Sequence, residues 1–274
     1  MQPGEPVLLT IRSEQALTSV KVTSFHVDTG GYQPDPADPR VWHALIGIDL
    51  DTPPGVYTVR VTATSAGGPL EQDLHVKVLA KTFPTRRLSV DDAFVNPPAS
   101  ARARIDAESK ETGAIFASSS ATRLWSAFVR PVAQPANSAF GTRSIFNGQP
   151  RNAHSGADFL SAAGTPVHAA GAGRVRLAKD LYYSGNTVII DHGLGVFSLF
   201  AHLSRIDVAA GDVVASDQVV GLVGATGRVT GPHLHWTVRV AGARVDPLGV
   251  LALVARPAEK RPARSRLPPA RRRW

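Results

Sequence analysis

The eight residues from His233 to Val240, HLHWTVRV, constrain the fold more than any other stretch. Side chains of a strand alternate between two faces. Leu234, Trp236, Val238 and Val240 then share one face, which is wholly apolar, and His233 and His235 share the other. The segment predicts a strand with a buried back and a polar working side.

A second short string, HSGAD from His154 to Asp158, supplies donors that such a face can use. Catalytic zinc typically takes three protein ligands from His, Asp, Glu and Cys and keeps a fourth position for water. Four residues of extended strand span about 13 Å, which His and Asp side chains barely close onto bonds of about 2 Å. The backbone between His154 and Asp158 is therefore expected to bend, with Gly156 at the midpoint where a bend is sterically cheap. One of His233 and His235 can complete the ligand set while its neighbour reaches the water. His202, in FAHLS, lies between the two strings.

The chain from about Pro131 to Leu253 resembles the lysostaphin and LytM type of zinc-dependent peptidoglycan endopeptidases. The resemblance rests on PVAQPANSAFGTR, HSGADF, GTPVHAAGAGRV, GNTVIIDHG, FAHLS and VGATGRVTGPHLHW, which occur in the family's order and spacing. It implies an antiparallel β-sheet peptidase domain, one Zn²⁺ per chain held by His154, Asp158 and His235, and a catalytic pair, His202 and His233, beside the metal. Phe200 stands where Tyr is usual, and Trp236-Thr237 replaces the usual Phe-Glu. The resemblance implies hydrolysis of peptide cross-links in peptidoglycan. Two other activities share these motifs: a non-catalytic activator of a wall amidase, and a secreted zinc peptidase acting on Gly-rich proteins.

Two neutral imidazoles and one carboxylate leave Zn²⁺ with a net charge of about +1, enough to acidify water towards pH ~7 and to polarise a carbonyl. A base for water and donors for the oxyanion are also needed. His202 and His233 are the groups available, and which is the base stays open. No HExxH helix is present, so that class's glutamate base is absent. His26, His43 and His75 lie far from the motifs, His168 reads as a surface residue and His192 as a turn residue.

At 274 residues and 43% hydrophobic composition, the chain has room for two modest domains. With no cysteine it forms neither thiolate metal sites nor disulfides. Residues 1–82 read as an all-β, immunoglobulin-like sandwich, with strands at Val7–Ile11, Val20–Val27, Trp42–Ile48, Val56–Ala63 and Leu74–Leu79 between Gly, Pro and Asp clusters. Binding the wall, spacing and covering the groove all suit such a unit. Residues 83–130 read as a connector with one helix from Ala99 to Ala117 and strand character in RLWSAFVRPV; a regulatory arm over the groove is the alternative to a plain linker. Residues 131–255 form the peptidase domain, with groove walls at Lys179–Asn186 and Thr226–Pro232. There Gly224, Gly227 and Gly231 make turns and let substrate come close.

The segment from Arg256 to Trp274 holds seven arginines and Lys260 against Glu259, nearly the whole net charge of +8. With four prolines it is expected to be disordered and to attach to anionic wall polymers or a membrane surface; nucleic acid is not expected as a partner. No apolar run reaches the roughly 18–20 residues of a membrane span. MQPGEPVLLTIRS enters strand-like sequence at once and does not read as a signal peptide. Because the resembled family acts on the wall, the expectation is an exported protein of the periplasm or cell envelope.

Overall fold

The structure, a computed structural model, describes residues 1–89, 95–118, 120–137 and 140–254. The basic tail, residues 256–274, lies outside the described residues. The N-terminal strands are β1 (Pro6–Arg12), β2 (Leu17–Ser24), β3 (Val27–Gly30), β4 (Val41–Gly47), β5 (Gly55–Ser65) and β6 (Gly68–Val78). They make two antiparallel sheets, β1 with β4 and β3-β2-β5-β6. Alternation in β5 sends Val59 and Val61 into a cluster with Val20, Val22, Ala44 and Ile46, drawn from both sheets, while Val56, Thr58 and Arg60 face solvent. The expected strand Val20–Val27 is split. Phe25 and His26 take φ of 48° and 65° and turn the chain from β2 into β3. Phe25 carries none of the usual turn chemistry, which hides this hairpin from composition.

After β7 (Thr85–Leu88) come a 3-10 turn at Ala99–Ala101 and α1 (Arg102–Ala117). RLWSAFVRPV, expected as a strand, joins no sheet as one. It is an extended plug whose Trp125, Ala127 and Phe128 are buried, tied by Leu124 N–H to His192 O at 2.9 Å and Val129 N–H to Ala170 O at 2.7 Å. Its apolar residues serve burial rather than sheet pairing.

The remaining elements are β8 (Arg143–Phe146), β9 (Gln149–Pro150), β10 (Ala157–Phe159), β11 (Pro166–His168), β12 (Gly173–Leu181), β13 (Gly185–Gly193), β14 (Val196–Ile206), β15 (Val213–Val214), β16 (Val219–Val223), β17 (Leu234–Val240), β18 (Ala243–Val245) and α2 (Pro247–Val254). β8 lies between β7, parallel, and β9, antiparallel. The other nine strands form one antiparallel sheet, with β10-β17-β14-β13-β12-β15 as its main path. Among the described residues, no helix is long and apolar enough to cross a membrane.

The sheet has two differently covered faces. On the back, Val188, Ile190, Phe200, Leu234, Trp236, Val238 and Val240 are fully buried with Phe128 of the plug, Val250 of α2 and Leu45 of β4, and Leu8 and Tyr32 pack at the margin. The N-terminal sheets are thereby fused to the back of the large sheet. Arg244 reinforces the junction, its Nε donating to Asp49 Oδ2 at 3.0 Å and its Nη2 to Asp51 Oδ2 at 2.7 Å. On the front, Ile115 and Phe116 of α1 cover Leu177, Leu181, Ile189 and Phe197.

The buried Trp236 needs an acceptor for its indole N–H. Ser198 Oγ accepts it at 3.2 Å. His192 lies 2.9 Å from the same oxygen through Nε2, and its Nδ1–H donates to Ala172 O at 2.9 Å. A carbonyl only accepts, so His192 carries its proton on Nδ1 and takes the Ser198 O–H on Nε2. His192 is thus a buried end of β13 rather than a turn residue. Burial pushes its pKa down to about 4, so it folds neutral. A depressed histidine makes stability fall as pH drops from about 6.5 to 4, because the unfolded chain binds the extra proton. Thermal melts across that window are expected to show falling stability with acid, and His192→Gln is expected to flatten the slope.

Candidate metal centre

The register of the sheet brings the donors together. β10 pairs with β17 so that Asp158 stands directly opposite His235. His154 arrives on the irregular segment before β10, its N–H donating to Thr142 O at 2.9 Å and its carbonyl accepting Gly141 N–H at 2.7 Å. His154 Nε2, Asp158 Oδ1 and His235 Nδ1 form a nearly equilateral triangle, with edges of 3.0, 3.0 and 2.9 Å. Tetrahedral bonds of about 2.0–2.1 Å would give edges of about 3.3 Å, so a small outward relaxation fits an ion. Among the described residues, these three are the one group of His, Cys, Asp or Glu able to hold a metal.

The surrounding chemistry also suits a cation. His235 Nε2 lies 2.9 Å from Thr237 Oγ1. Donation to that hydroxyl leaves the Nδ1 lone pair aimed at the triangle, the orienting role that partners of metal-bound histidines play. A lone pair 2.9 Å from a carboxylate oxygen calls for a positive charge between them. Burial alone would raise Asp158, yet the closely placed imidazoles of His154 and His235 hold its carboxyl far below the usual carboxylate range. Burial pushes His235 down, against the pull of Asp158. The cluster therefore presents one anion and neutral imidazole.

The chain bends at Gly156, and the glycine has a second role. A Cβ there would lie 2.5 Å from Trp236 O and 2.7 Å from His235 Cε1. Only glycine lets this segment pass so close to the His235 ring.

His202 and His233 stand beside the triangle, ring centroids 4.9 Å apart, with His202 6.0 Å from the His235 ring. His202 has φ of 63°, a left-handed conformation that costs roughly 1–3 kcal/mol. It is secured by its N–H to Ser184 O at 2.8 Å. His202 Nδ1–H donates to Thr226 O and His233 Nδ1–H to Gly231 O, each at 3.0 Å. Backbone carbonyls thereby set both tautomers and leave both Nε2 atoms with a lone pair. Burial first, then His235, push His202 down to about 4. His233 Nε2 is 3.9 Å from Asp158 Oδ1. All five residues singled out from sequence therefore meet here. His26, His43, His75 and His168 do not; His168, part-exposed, turns to Asp217 O at 2.8 Å.

Thr237 and the Thr226 carbonyl were not legible as site groups. Thr237 shows only as a departure from a family pattern, and a carbonyl has no sequence signature. The two expected groove walls are one wall. Asn186 N–H donates to Thr226 Oγ1 and Arg228 N–H to Tyr183 O, both at 2.9 Å. Gly227 (φ 74°) lies against Gly185, where a Cβ would sit 2.3 Å from the Gly185 nitrogen. That glycine is required for packing of the chain against itself.

Residues 152–247 match the model of Peptidase family M23. A solved Pseudomonas aeruginosa structure described as an M23 peptidase is 32% identical and superposes with a TM-score of 0.70, over 91% of this chain and 94% of that one. The chain belongs to peptidase family M23. Within that family it is 44% identical over 95 residues to the peptidoglycan DD-endopeptidase ShyA of Vibrio cholerae. It is 43% identical over 97 residues to the DD-carboxypeptidase/endopeptidase Mpg of Neisseria meningitidis. Each match takes in 35% of this chain and 22% of the relative, so the chain spans about a fifth of these M23 relatives' length.

Thr237→Val is expected to weaken divalent-cation binding about 10–100-fold, the usual cost of losing such a partner, as read by competition with a chelating dye. Gly156→Ala is expected to weaken it too, by displacing His235.

Proposed function

We propose that this chain is a zinc-dependent endopeptidase that hydrolyses peptide cross-links of bacterial peptidoglycan. The observation that carries the reading is the triangle of His154 Nε2, Asp158 Oδ1 and His235 Nδ1 with two further histidines of defined tautomer beside it. The family membership and the names of the M23 relatives supply the substrate class.

His154, Asp158 and His235 would hold the zinc, which when bound supplies Lewis acidity towards a carbonyl and acidifies water. His202 and His233 each offer an Nε2 lone pair beside the cluster. One accepts the proton of the attacking water, and the other, protonated, donates to the oxyanion. Their Nδ1–H bonds to Thr226 O and Gly231 O keep the rings from turning. Burial keeps His202 neutral at neutral pH, so its Nε2 lone pair is available there.

The rest of the chain supports this activity. Residues 1–82 act as an immunoglobulin-like sandwich that braces the back of the sheet, 83–130 connect it to the peptidase domain at 131–255, and 256–274 attach to anionic wall polymers or a membrane surface. The protein works outside the cytoplasm, in the cell envelope, where its substrate lies.

Metal analysis joined to kinetics tests the assignment. The chain is expected to hold about one zinc, and His154→Ala, Asp158→Ala or His235→Ala to lose both metal and activity. His202→Ala and His233→Ala are expected to keep the metal and lose turnover by about 10²-fold or more. Metal lost in His233→Ala but kept in His235→Ala would reverse the roles of those two residues. Near-normal turnover in both His202→Ala and His233→Ala would remove the two-histidine mechanism.

A further inference from the structure

Among the described residues, β6 is the longest strand with an open edge, 11 residues whose one sheet partner is β5. An open edge presents backbone N–H and C=O groups without ladder partners. Contacts with Met1 show which groups these are. Met1 N–H donates to Lys77 O at 3.1 Å, and Leu79 N–H donates to Met1 O at 2.8 Å. Lys77 therefore points its backbone groups away from β5. These groups alternate in direction along an antiparallel strand, and the register of β5 with β6 runs without a bulge. Glu71, Asp73 and His75 then point theirs outwards too, and Pro69, which has no N–H, ends the series.

The side chains at this edge are ordered to suit a copy of themselves. Every residue from Pro69 to His75 is exposed, Leu70 (47%) and Leu74 (38%) among them. Leu70 and Leu74 share a face with Val76 and Val78, which are buried in the N-terminal core. The apolar face of the sandwich thus runs on past its cover. The other face carries Glu71, Asp73, His75 and Lys77, a row that changes character from acidic to basic along its length. Arg60 of β5 fixes both carboxylates there, at 2.8 Å from Asp73 and 3.2 Å from Glu71. A two-fold axis at Leu74 sets Asp73 opposite His75 of the other copy, Glu71 opposite Lys77, and Leu74 opposite itself. An axis at Asp73 would oppose two aspartates, and one at Gln72 would oppose Glu71 and Asp73; like charges directly opposite are destabilising. An axis at His75 would build the ladder on Lys77, whose carbonyl already accepts from Met1. With the axis at Leu74, Asp73 and His75 both present outward groups and exchange both backbone hydrogen bonds. Leu74 then takes a non-hydrogen-bonded position, where facing side chains come closest.

We propose that two copies of this chain pair through β6, antiparallel and with the two-fold axis at Leu74, so that the two N-terminal sheets become one continuous sheet. The same patch serves on both copies, so the assembly closes as a dimer. β6 carries none of the residues of the metal centre, and the interface is independent of the chemistry assigned there.

Sedimentation equilibrium of the full chain, joined to cross-linking through single cysteines, tests the dimer. The sequence holds no cysteine, so each introduced thiol reports on one position alone. Leu74→Cys sets two thiols directly opposite, with Cα atoms about 4.5 Å apart, a span that a disulfide bridges. Gln72→Cys sets them four residues apart along the strands, roughly 13 Å or more, which a disulfide does not reach. The unaltered chain is expected to sediment as a dimer, and Leu74→Cys to cross-link under mild oxidation while Gln72→Cys does not. Leu74→Lys, which brings two ammonium groups face to face, is expected to weaken association about 10-fold or more with an unchanged circular dichroism spectrum. A monomer at every concentration, or association undiminished by Leu74→Lys, overturns the proposal. So does a Leu74→Cys chain that fails to cross-link, or a Gln72→Cys chain that cross-links as fast.

Discussion

Asp158 and His235 face one another across the pairing of β10 with β17, and the rest of the centre depends on that register. Side chains alternate along a strand, so a slip of one residue would turn His235 to the back of the sheet and Trp236 to the front. What forbids the slip is the back face. Leu234, Trp236, Val238 and Val240 are fully buried there, and each large apolar side chain contributes roughly 1.5–3 kcal/mol by burial. The Trp236 indole adds a directional constraint through Ser198 and His192. The hydrophobic back thus holds in place a front that, without a cation, would set a histidine lone pair against a carboxylate.

The two faces divide the molecule's labour. The N-terminal sheets, the plug at Trp125–Phe128 and α2 all close on the back, and Arg244 ties the junction to Asp49 and Asp51. The N-terminal part is therefore not a bead on a string but a brace for the sheet that carries the donors. On the front, Phe197 and Arg239 are cross-strand partners, four residues along the register from Ala201 and His235. Phe116 of α1 packs edge-on against Phe197 at 5.8 Å and lies 5.0 Å from the Arg239 guanidinium. The connector helix therefore shares the working face with the cluster and bounds it.

Much of the centre was legible in the sequence because its donors are scarce residue types at telling intervals. HSGAD and HLHW name four of the five residues, and alternation in β17 tells which side of the strand each occupies. The less legible parts are those whose signal is not a residue type. Thr226 and Gly231 act through carbonyls that any residue possesses. Phe25 and His26 turn a hairpin without turn residues. The apolar runs of β1 and β4 show that these strands meet apolar surface, but not that Leu8 and Leu45 pack against a sheet over a hundred residues away in the chain. RLWSAFVRPV has the composition of a strand because it is buried, and burial alone does not choose between pairing and plugging.

The central claim is that the cluster of His154, Asp158 and His235 cuts peptide bonds between wall strands. Digestion of purified sacculi by the zinc-loaded chain, with the soluble products identified by mass spectrometry, tests it most directly. The account predicts cross-linked peptides resolved into monomers with glycan and stem peptide still joined, an activity abolished by a chelator and restored by zinc. Products cut within the glycan or between glycan and peptide, or cleavage undiminished after the metal is stripped, would contradict it.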